Sequence, residues 1–144
     1  MESIIDVKNS FDSPELLRIL AECVFNPTME RLKDRAEKYM RTPQTRIYAF
    51  NQDGNNIGLI VLEIHNSELI EILGFAVIQD MQRNGVGRKL IDFCSEVYNP
   101  NSIIAETDDD AVGFYKKVGF SVHPLGDKYG AGINRYLCEL TFNN

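Results

Sequence analysis

The chain has 144 residues, of which 44% are hydrophobic and 25% are charged, and such a composition is typical of one soluble globular domain. Its formal net charge of −6 disfavours DNA or RNA as a partner, because binding to a phosphate backbone needs a basic surface. No apolar run reaches the length of a membrane span, and the N-terminus lacks the pattern of a secretion signal.

The cysteine and histidine content indicates a reducing compartment and no metal. Three cysteines without a Cys-x-x-Cys spacing predict a cytoplasmic protein in which Cys23, Cys94 and Cys138 are buried as small apolar residues. The two histidines, His65 and His123, show no paired ligand spacing, so we predict no metal site.

The N-terminal third predicts one strand followed by two helices. Residues Glu2 to Lys8 alternate as a strand. Ser13-Pro14 is a helix start, because serine caps a helix and proline suits its first position. Asn26-Pro27-Thr28 ends this helix and begins another that runs to about Arg41.

Three strands joined by short turns follow. They cover Arg46–Phe50, Ile57–Ile64 and an apolar run that ends at Ile78, with turns at 51–56 and 65–67. Strands joined by turns this short pair in antiparallel fashion, so we predict an antiparallel meander.

The segment from Leu73 to Tyr98 carries the strongest functional signal. It passes from a strand through a polar turn and Gly85-Val86-Gly87 into an amphipathic helix. A loop of this kind aims backbone N–H groups and the positive end of a helix dipole at one point, which predicts a phosphate site. The dinucleotide fingerprint fails because Leu90 stands where its third glycine is needed, and the P-loop pattern does not occur.

The C-terminal third predicts a parallel pairing within the sheet. A strand at Ser102–Thr107 follows the central helix, and a right-handed crossover makes it parallel to the strand before the helix. Ala111–Val118 is a short helix that Asp108 and its acidic neighbours could cap and that ends at Gly119. A strand begins at Phe120, a loop spans Pro124–Gly132, and a last strand spans Ile133–Phe142. The sheet is therefore mixed.

Two motifs in this order resemble those of the GCN5-related N-acetyltransferase (GNAT) superfamily. Gln82-Arg83-Asn84-Gly85-Val86-Gly87 resembles its acetyl-CoA pyrophosphate loop, and Ala111–Phe120 resembles its Ala-x-x-Phe-Tyr-x-x-x-Gly-Phe segment. The resemblance covers almost the whole chain and implies a single domain over 1–144 with an α/β (α+β) GNAT fold. The expected fold has a mixed, mostly antiparallel sheet of six to seven strands, about four helices, and strands splayed at the acetyl-CoA site.

The resemblance also implies the site residues. The implied cofactor-binding residues are Phe75, Ala76, Val77, Gln82, Arg83, Asn84, Gly85, Val86, Gly87, Arg88 and Tyr115. Tyr115 matches the family's general acid, and Glu71, eleven residues before Gln82, matches a general base of the histone-acetylating branch. Two features depart from the family pattern: Gln79 stands where proline is common, and Asp108 stands where asparagine is common.

The base is the less settled of the two catalytic roles. Strand alternation predicts that Glu71 shares a face with Leu73, Phe75 and Val77, where apolar neighbours would desolvate its carboxylate. A solvated acid at a strand edge is the equally supported alternative. Further base candidates are Glu63, His65 and Asp108.

The implied function is N-acetyl transfer from acetyl-CoA to a primary amine of a small molecule or protein by direct attack. The alternative is a non-catalytic acyl-CoA-binding module of the same fold. No motif names the acceptor, whose cleft in this family is shaped by the first helices and the late loop, here near 26–43 and 123–132. We expect no nucleic-acid, membrane or metal partner, and the resemblance leaves a homodimer open.

Overall fold

The computed structural model describes residues 1–24, 26–78 and 85–142. The described helices are α1 (Pro14–Leu20), α2 (Met29–Arg41), α3 (Val86–Tyr98) and α4 (Val112–Lys117), with single 3-10 turns at Lys8–Ser10 and Ala21–Cys23. The strands are β1 (Glu2–Asp6), β2 (Thr45–Gln52), β3 (Asn55–Ile64), β4 (Leu69–Val77), β5 (Ser102–Asp108), β6 (Ser121–Gly126) and β7 (Arg135–Thr141).

All seven strands belong to one sheet with the order β1-β2-β3-β4-β5-β7-β6. Neighbouring strands are antiparallel except β4 and β5, which are parallel and joined through α3. The predicted mixed and mostly antiparallel sheet, with its parallel pair at the central crossover, is confirmed.

Side-chain caps set the starts of the first two helices. Ser13 Oγ accepts a hydrogen bond from the Leu16 amide at 3.4 Å, with proline at the first helical position. Thr28 Oγ1 accepts one from the Arg31 amide at 3.2 Å. Both predicted helix starts are confirmed. They were predictable because a cap depends only on residues within one helical turn.

The C-terminal strands depart from the prediction. β6 continues through Pro124 to Gly126, so the first part of the predicted loop is strand. β6 lies at the edge of the sheet, where a residue without an N–H is tolerated, and its register shifts between Pro124 and Gly126. β7 is shorter than predicted and covers Arg135–Thr141.

Each face of the sheet has its own core. One core is covered by α3 and α4 and includes Leu90, Ile103 and Cys138, and the other is covered by α1 and α2 and includes Leu17 and Leu59. Cys94 and Cys138 are buried as predicted, but the prediction for Cys23 is wrong, because that residue is exposed at the end of the 3-10 turn after α1. Within the described ranges, no helix is both long enough and apolar enough to cross a membrane.

A β-bulge interrupts the pairing of β3 with β4. Val61 pairs with Gly74, but the next residue, Leu62, pairs with Ile72, so that Leu73 has no partner opposite it. One extra residue of this kind reverses the side-chain alternation along the bulged strand.

The bulge overturns the predicted surroundings of Glu71. Glu71 and Leu73 precede the reversal, and Leu73 packs into the core under α1 and α2. Phe75 and Val77 pack instead into the core under α3 and α4. Glu71 therefore shares its face with Leu73, as predicted, but not with Phe75 and Val77.

Candidate active site

The two parallel strands separate halfway along their length. β4 pairs with β5 from Leu69 and Ser102 as far as Ile72 and Ala105. Beyond this point β4 remains paired with β3 as far as Val77, and β5 remains paired with β7 as far as Asp108. Among the described residues no further β4–β5 pair forms, so the sheet contains a gap with a strand edge on each side.

Backbone groups of β4 line one side of this gap. The Ile78 amide donates to Ile57 O at 3.0 Å, which directs it towards β3. Successive residues of a strand direct their backbone groups to opposite sides, so the amides of Val77 and Phe75 face the gap and that of Ala76 faces β3. The predicted segment 75–77 therefore borders the gap.

The N-terminus of α3 differs from those of α1 and α2. Its N-cap is Gly85, with φ +75°, a left-handed conformation that glycine adopts without strain and that offers no capping side chain. The amides of Val86, Gly87 and Arg88 belong to the first turn and have no partner within the helix, so they are available to an anion. The other predicted loop residues, Gln82, Arg83 and Asn84, lie outside the described residues.

Gly87 allows three elements to approach closely. A Cβ at this position would lie 2.8 Å from Cε1 and Cζ of Phe114 and 3.2 Å from Cε1 of Phe75. Phe75 and Phe114 also contact one another, with ring centroids 5.1 Å apart. Because Gly87 has no side chain, α3 can pack closely against α4 and β4 beside the gap.

The cations near the start of α3 point in different directions. Arg88 Nη2 donates to Lys117 O at 3.5 Å, between α3 and α4. Lys89 Nζ instead pairs with the Glu2 carboxylate at 3.0 Å and lies over the Phe50 ring. Arg88 thus remains a candidate phosphate ligand, whereas Lys89 is neutralised by β1.

Tyr115 is the buried aromatic of α4. It is 6% exposed and its ring contacts Phe75, Phe114 and Phe120 at centroid distances of 6.4, 5.4 and 5.1 Å. Burial raises the pKa of its hydroxyl, and the nearby Cys138 and Cys23 thiols raise it further. The phenol therefore stays protonated throughout the neutral range and can act as a proton donor.

Cys23 lies at the same gap, although its sequence pattern predicted only a core residue. Its sulfur donates to Leu20 O at 3.4 Å, and the backbone N–H of Phe75 points at it. Although the residue as a whole is exposed, its sulfur packs against β4 beside Gly74, and this local burial raises the pKa of the thiol, while the Phe75 amide opposes that rise. Nothing in the local sequence signals this position, because only the docking of α1 on the bulged strand creates it.

Three of the four base candidates meet at the β3–β4 hairpin. His65 Nε2 lies 2.9 Å from Glu71 Oε1 and 3.3 Å from Glu63 Oε2. The three side chains are 29–33% exposed, so the predicted apolar environment of Glu71 is wrong. The fourth candidate, Asp108, accepts hydrogen bonds from the amides of Asp110 and Ala111 at 3.0 and 3.2 Å, and shapes the turn into α4.

Comparisons with known proteins agree with this geometry. Residues 15–136 match the family model described as "Acetyltransferase (GNAT) domain". A search of curated proteins gave no significant sequence match.

Three solved structures illustrate the similarity of fold. A GNAT family acetyltransferase from Elizabethkingia anophelis with acetyl-CoA bound is 18% identical, with a TM-score of 0.70 and 98% of each chain covered. The ribosomal-protein-alanine N-acetyltransferase from Escherichia coli is 14% identical, with a TM-score of 0.76, 100% of this chain covered and 96% of that one. An aminoglycoside 6′-N-acetyltransferase complexed with coenzyme A is 14% identical, with a TM-score of 0.75, 100% of this chain covered and 98% of that one. With the family model matching most of its length and the fold shared, the chain belongs to the GNAT family and is an acyltransferase.

Proposed function

We propose that this enzyme transfers the acetyl group of acetyl-CoA to a primary amine by direct attack of the amine on the thioester. The observation that carries the proposal is the gap between β4 and β5, bordered by the amides of Phe75 and Val77, the start of α3 without a side-chain cap, and Tyr115. Solved relatives of the same fold carry acetyl-CoA or CoA, which supports the choice of cofactor.

In this proposal the diphosphate lies on the amides at the start of α3. The helix dipole and the first-turn amides favour an anion there, and Gln82, Arg83 and Asn84 complete the loop. The pantetheine arm follows the backbone of Phe75, Ala76 and Val77, filling the gap as an additional strand. An amide of this segment then polarises the thioester carbonyl as the oxyanion develops.

Tyr115 acts as the general acid. The amine nitrogen forms a C–N bond to the acetyl carbon while the C–S bond breaks, and the phenol proton passes to the departing sulfur. The extra proton on the nitrogen then returns to the phenolate, which leaves the neutral amide and restores Tyr115. A tyrosine is already protonated at neutral pH with its ordinary pKa of about 10, so the form that this step needs is present.

Glu71 acts as the general base and removes the proton of the substrate ammonium. It lies on the face covered by α1 and α2, the side on which the family's first helices shape the acceptor cleft. His65, at 2.9 Å, holds the Glu71 carboxylate and offers the proton a route to solvent. In this proposal the acetyl group therefore lies along the part of β4 after the bulge, and the amine approaches Glu71 on the part before the bulge.

The acceptor is proposed only as a primary amine. Relatives that share the fold are named for a ribosomal-protein alanine and for an aminoglycoside, so one fold serves acceptors of very different size.

The test is CoA thiol release with a panel of amines that spans small molecules and peptide N-termini. We expect release with at least one amine and a loss of about a hundredfold in kcat for Tyr115→Phe, with little change in acetyl-CoA affinity. Tyr129→Phe is the matched control, because this tyrosine is 63% exposed and lies in the loop before β7. Acetyl-CoA binding without thiol release for any amine would instead favour the non-catalytic binding module.

A further inference from the structure

We propose that Glu63, His65 and Glu71 form a binding site for a transition-metal ion of the Zn²⁺ type. Glu63 and Glu71 stand directly opposite one another on β3 and β4, and His65 follows at the end of β3. The nitrogen of His65 and one oxygen of each carboxylate all lie within 4.8 Å of one another.

Two carboxylates lie close together in the cluster, so a bound cation would stabilise it. Like charges directly opposite each other in an antiparallel pair destabilise the sheet. Within the described residues, His65 is the one basic side chain that pairs with either carboxylate. A divalent ion bound between the two facing carboxylates would balance their charge.

The spacing of the ligand atoms is compatible with a tetrahedral metal ion. Ligands bound to Zn²⁺ at about 2.0–2.2 Å in a tetrahedron stand about 3.3 Å apart. His65 Nε2 now makes a hydrogen bond of 2.9 Å to Glu71 and an ion-pair contact of 3.3 Å to Glu63, so an ion that replaced the shared proton would require only a small movement of these side chains. One imidazole with two carboxylates favours zinc, iron or nickel over calcium or magnesium.

A second observation comes from the neighbouring strand. Thr45 on β2 pairs with Glu63, which places Thr45, Glu63 and Glu71 in one row across three strands. Thr45 is fully buried, and its Oγ1 has no hydrogen-bond partner in the described parts of the chain. Among the described residues, the Thr45 hydroxyl is thus an unpaired polar group beside Glu63 in the register, and Thr45 is not one of the three ligand residues.

The site is both accessible and held by the backbone. An open cavity of about 360 Å³, lined by Gln44, Glu63, Ile64 and His65, leads to the cluster. The hairpin is fixed by the His65 amide, which donates to Leu69 O at 3.1 Å, and by Asn66 Oδ1, which accepts from the Leu69 amide at 3.0 Å. An ion can therefore enter without rearrangement of the strands.

The metal site shares Glu71 and His65 with the proposed acetyl transfer, but the two proposals are tested separately. A metal on Glu71 would occupy the oxygen that the proposed base needs, so metal loading and turnover are expected to compete. Binding itself is measured without acetyl-CoA or amine, and failure of one proposal is therefore distinguishable from failure of the other.

The experiment is a titration of the full chain with Co²⁺, followed by its visible absorption, and then displacement by Zn²⁺. A Cys23→Ser background removes the exposed thiol as a competing ligand. We expect one Co²⁺ per chain, and an affinity at least about tenfold weaker in Glu63→Gln and His65→Ala. Glu68→Gln, an exposed acid of the same hairpin, and His123→Ala, the second histidine, are the controls and should bind as the background protein does.

Glu63→Gln keeps the side-chain shape and removes only the charge, so it tests the site even where His65→Ala fails to fold. No saturable Co²⁺ binding, binding that survives Glu63→Gln, or an equal loss in the Glu68→Gln control would each overturn the assignment.

Discussion

Replacement of Gly85 by aspartate or by asparagine separates the charge of the proposed phosphate site from its backbone geometry. Gly85 has φ +75°, and no described atom lies within 4 Å of the Cβ that either residue would add. Aspartate and asparagine are similar in size and tolerate left-handed φ better than other residues with a Cβ. Both variants should therefore lose a similar free energy of unfolding, about 1 kcal/mol, and remain folded.

The two variants should differ in acetyl-CoA affinity. A carboxylate about 5 Å from a diphosphate charge, at an effective dielectric constant of about 20, costs about 3 kcal/mol. This corresponds to an affinity for Gly85→Asp about a hundredfold weaker than for Gly85→Asn, with a smaller difference at high salt. Isothermal titration with acetyl-CoA measures both affinities, and urea unfolding checks the matched stabilities. Equal affinities in the two folded variants would refute the placement of the diphosphate at the start of α3.

Three further predictions test the acceptor side, the packing and the buried thiol. Glu71→Gln should lower kcat about a hundredfold while acetyl-CoA binds as before, and an unchanged rate in steady-state assays would remove Glu71 as the base. Gly87→Ala should destabilise the fold by up to about 2 kcal/mol in urea unfolding, because the Phe114 clash exceeds the helix gain of about 1 kcal/mol. Gly113→Ala, with no described atom near its Cβ, is the matched control and should show only the gain. Burial raises the pKa of Cys94 from its usual 9.0 to about 12, so stability that is complete below pH 9.0 is lost as the pH rises towards 12. Cys94 contributes a slope of about 1.4 kcal/mol per pH unit, and Cys94→Ala should lower the total slope by that amount in denaturant titrations across the alkaline range, where Cys23 and Tyr115 also contribute.

Features that depend on neighbouring residues were predictable from the sequence. The starts of α1 and α2 follow from Ser13 and Thr28, because a cap acts within one helical turn. The start of α3 at Gly85 and the end of α4 before Gly119 follow from the backbone conformations that glycine adopts freely. The element order that these signals define, together with the motifs at 82–87 and 111–120, indicated the family.

The surroundings of the proposed catalytic residues were not predictable in this way. Simple alternation placed Glu71 beside Phe75 and Val77, but the bulge at Leu73 reverses the faces of β4. Strand register depends on the partner strand, and one extra residue moves every later side chain to the other face.

The sequence by itself thus determined the order of the elements and the glycine-bearing start of α3, because both depend on local propensities and turn chemistry. Only the tertiary structure decided that β4 and β5 separate after Ile72 and Ala105, that Tyr115 is buried beside the gap, and that Glu63 and Glu71 meet around His65. These features arise from contacts between residues far apart in the chain, and no local pattern specifies which of those contacts form.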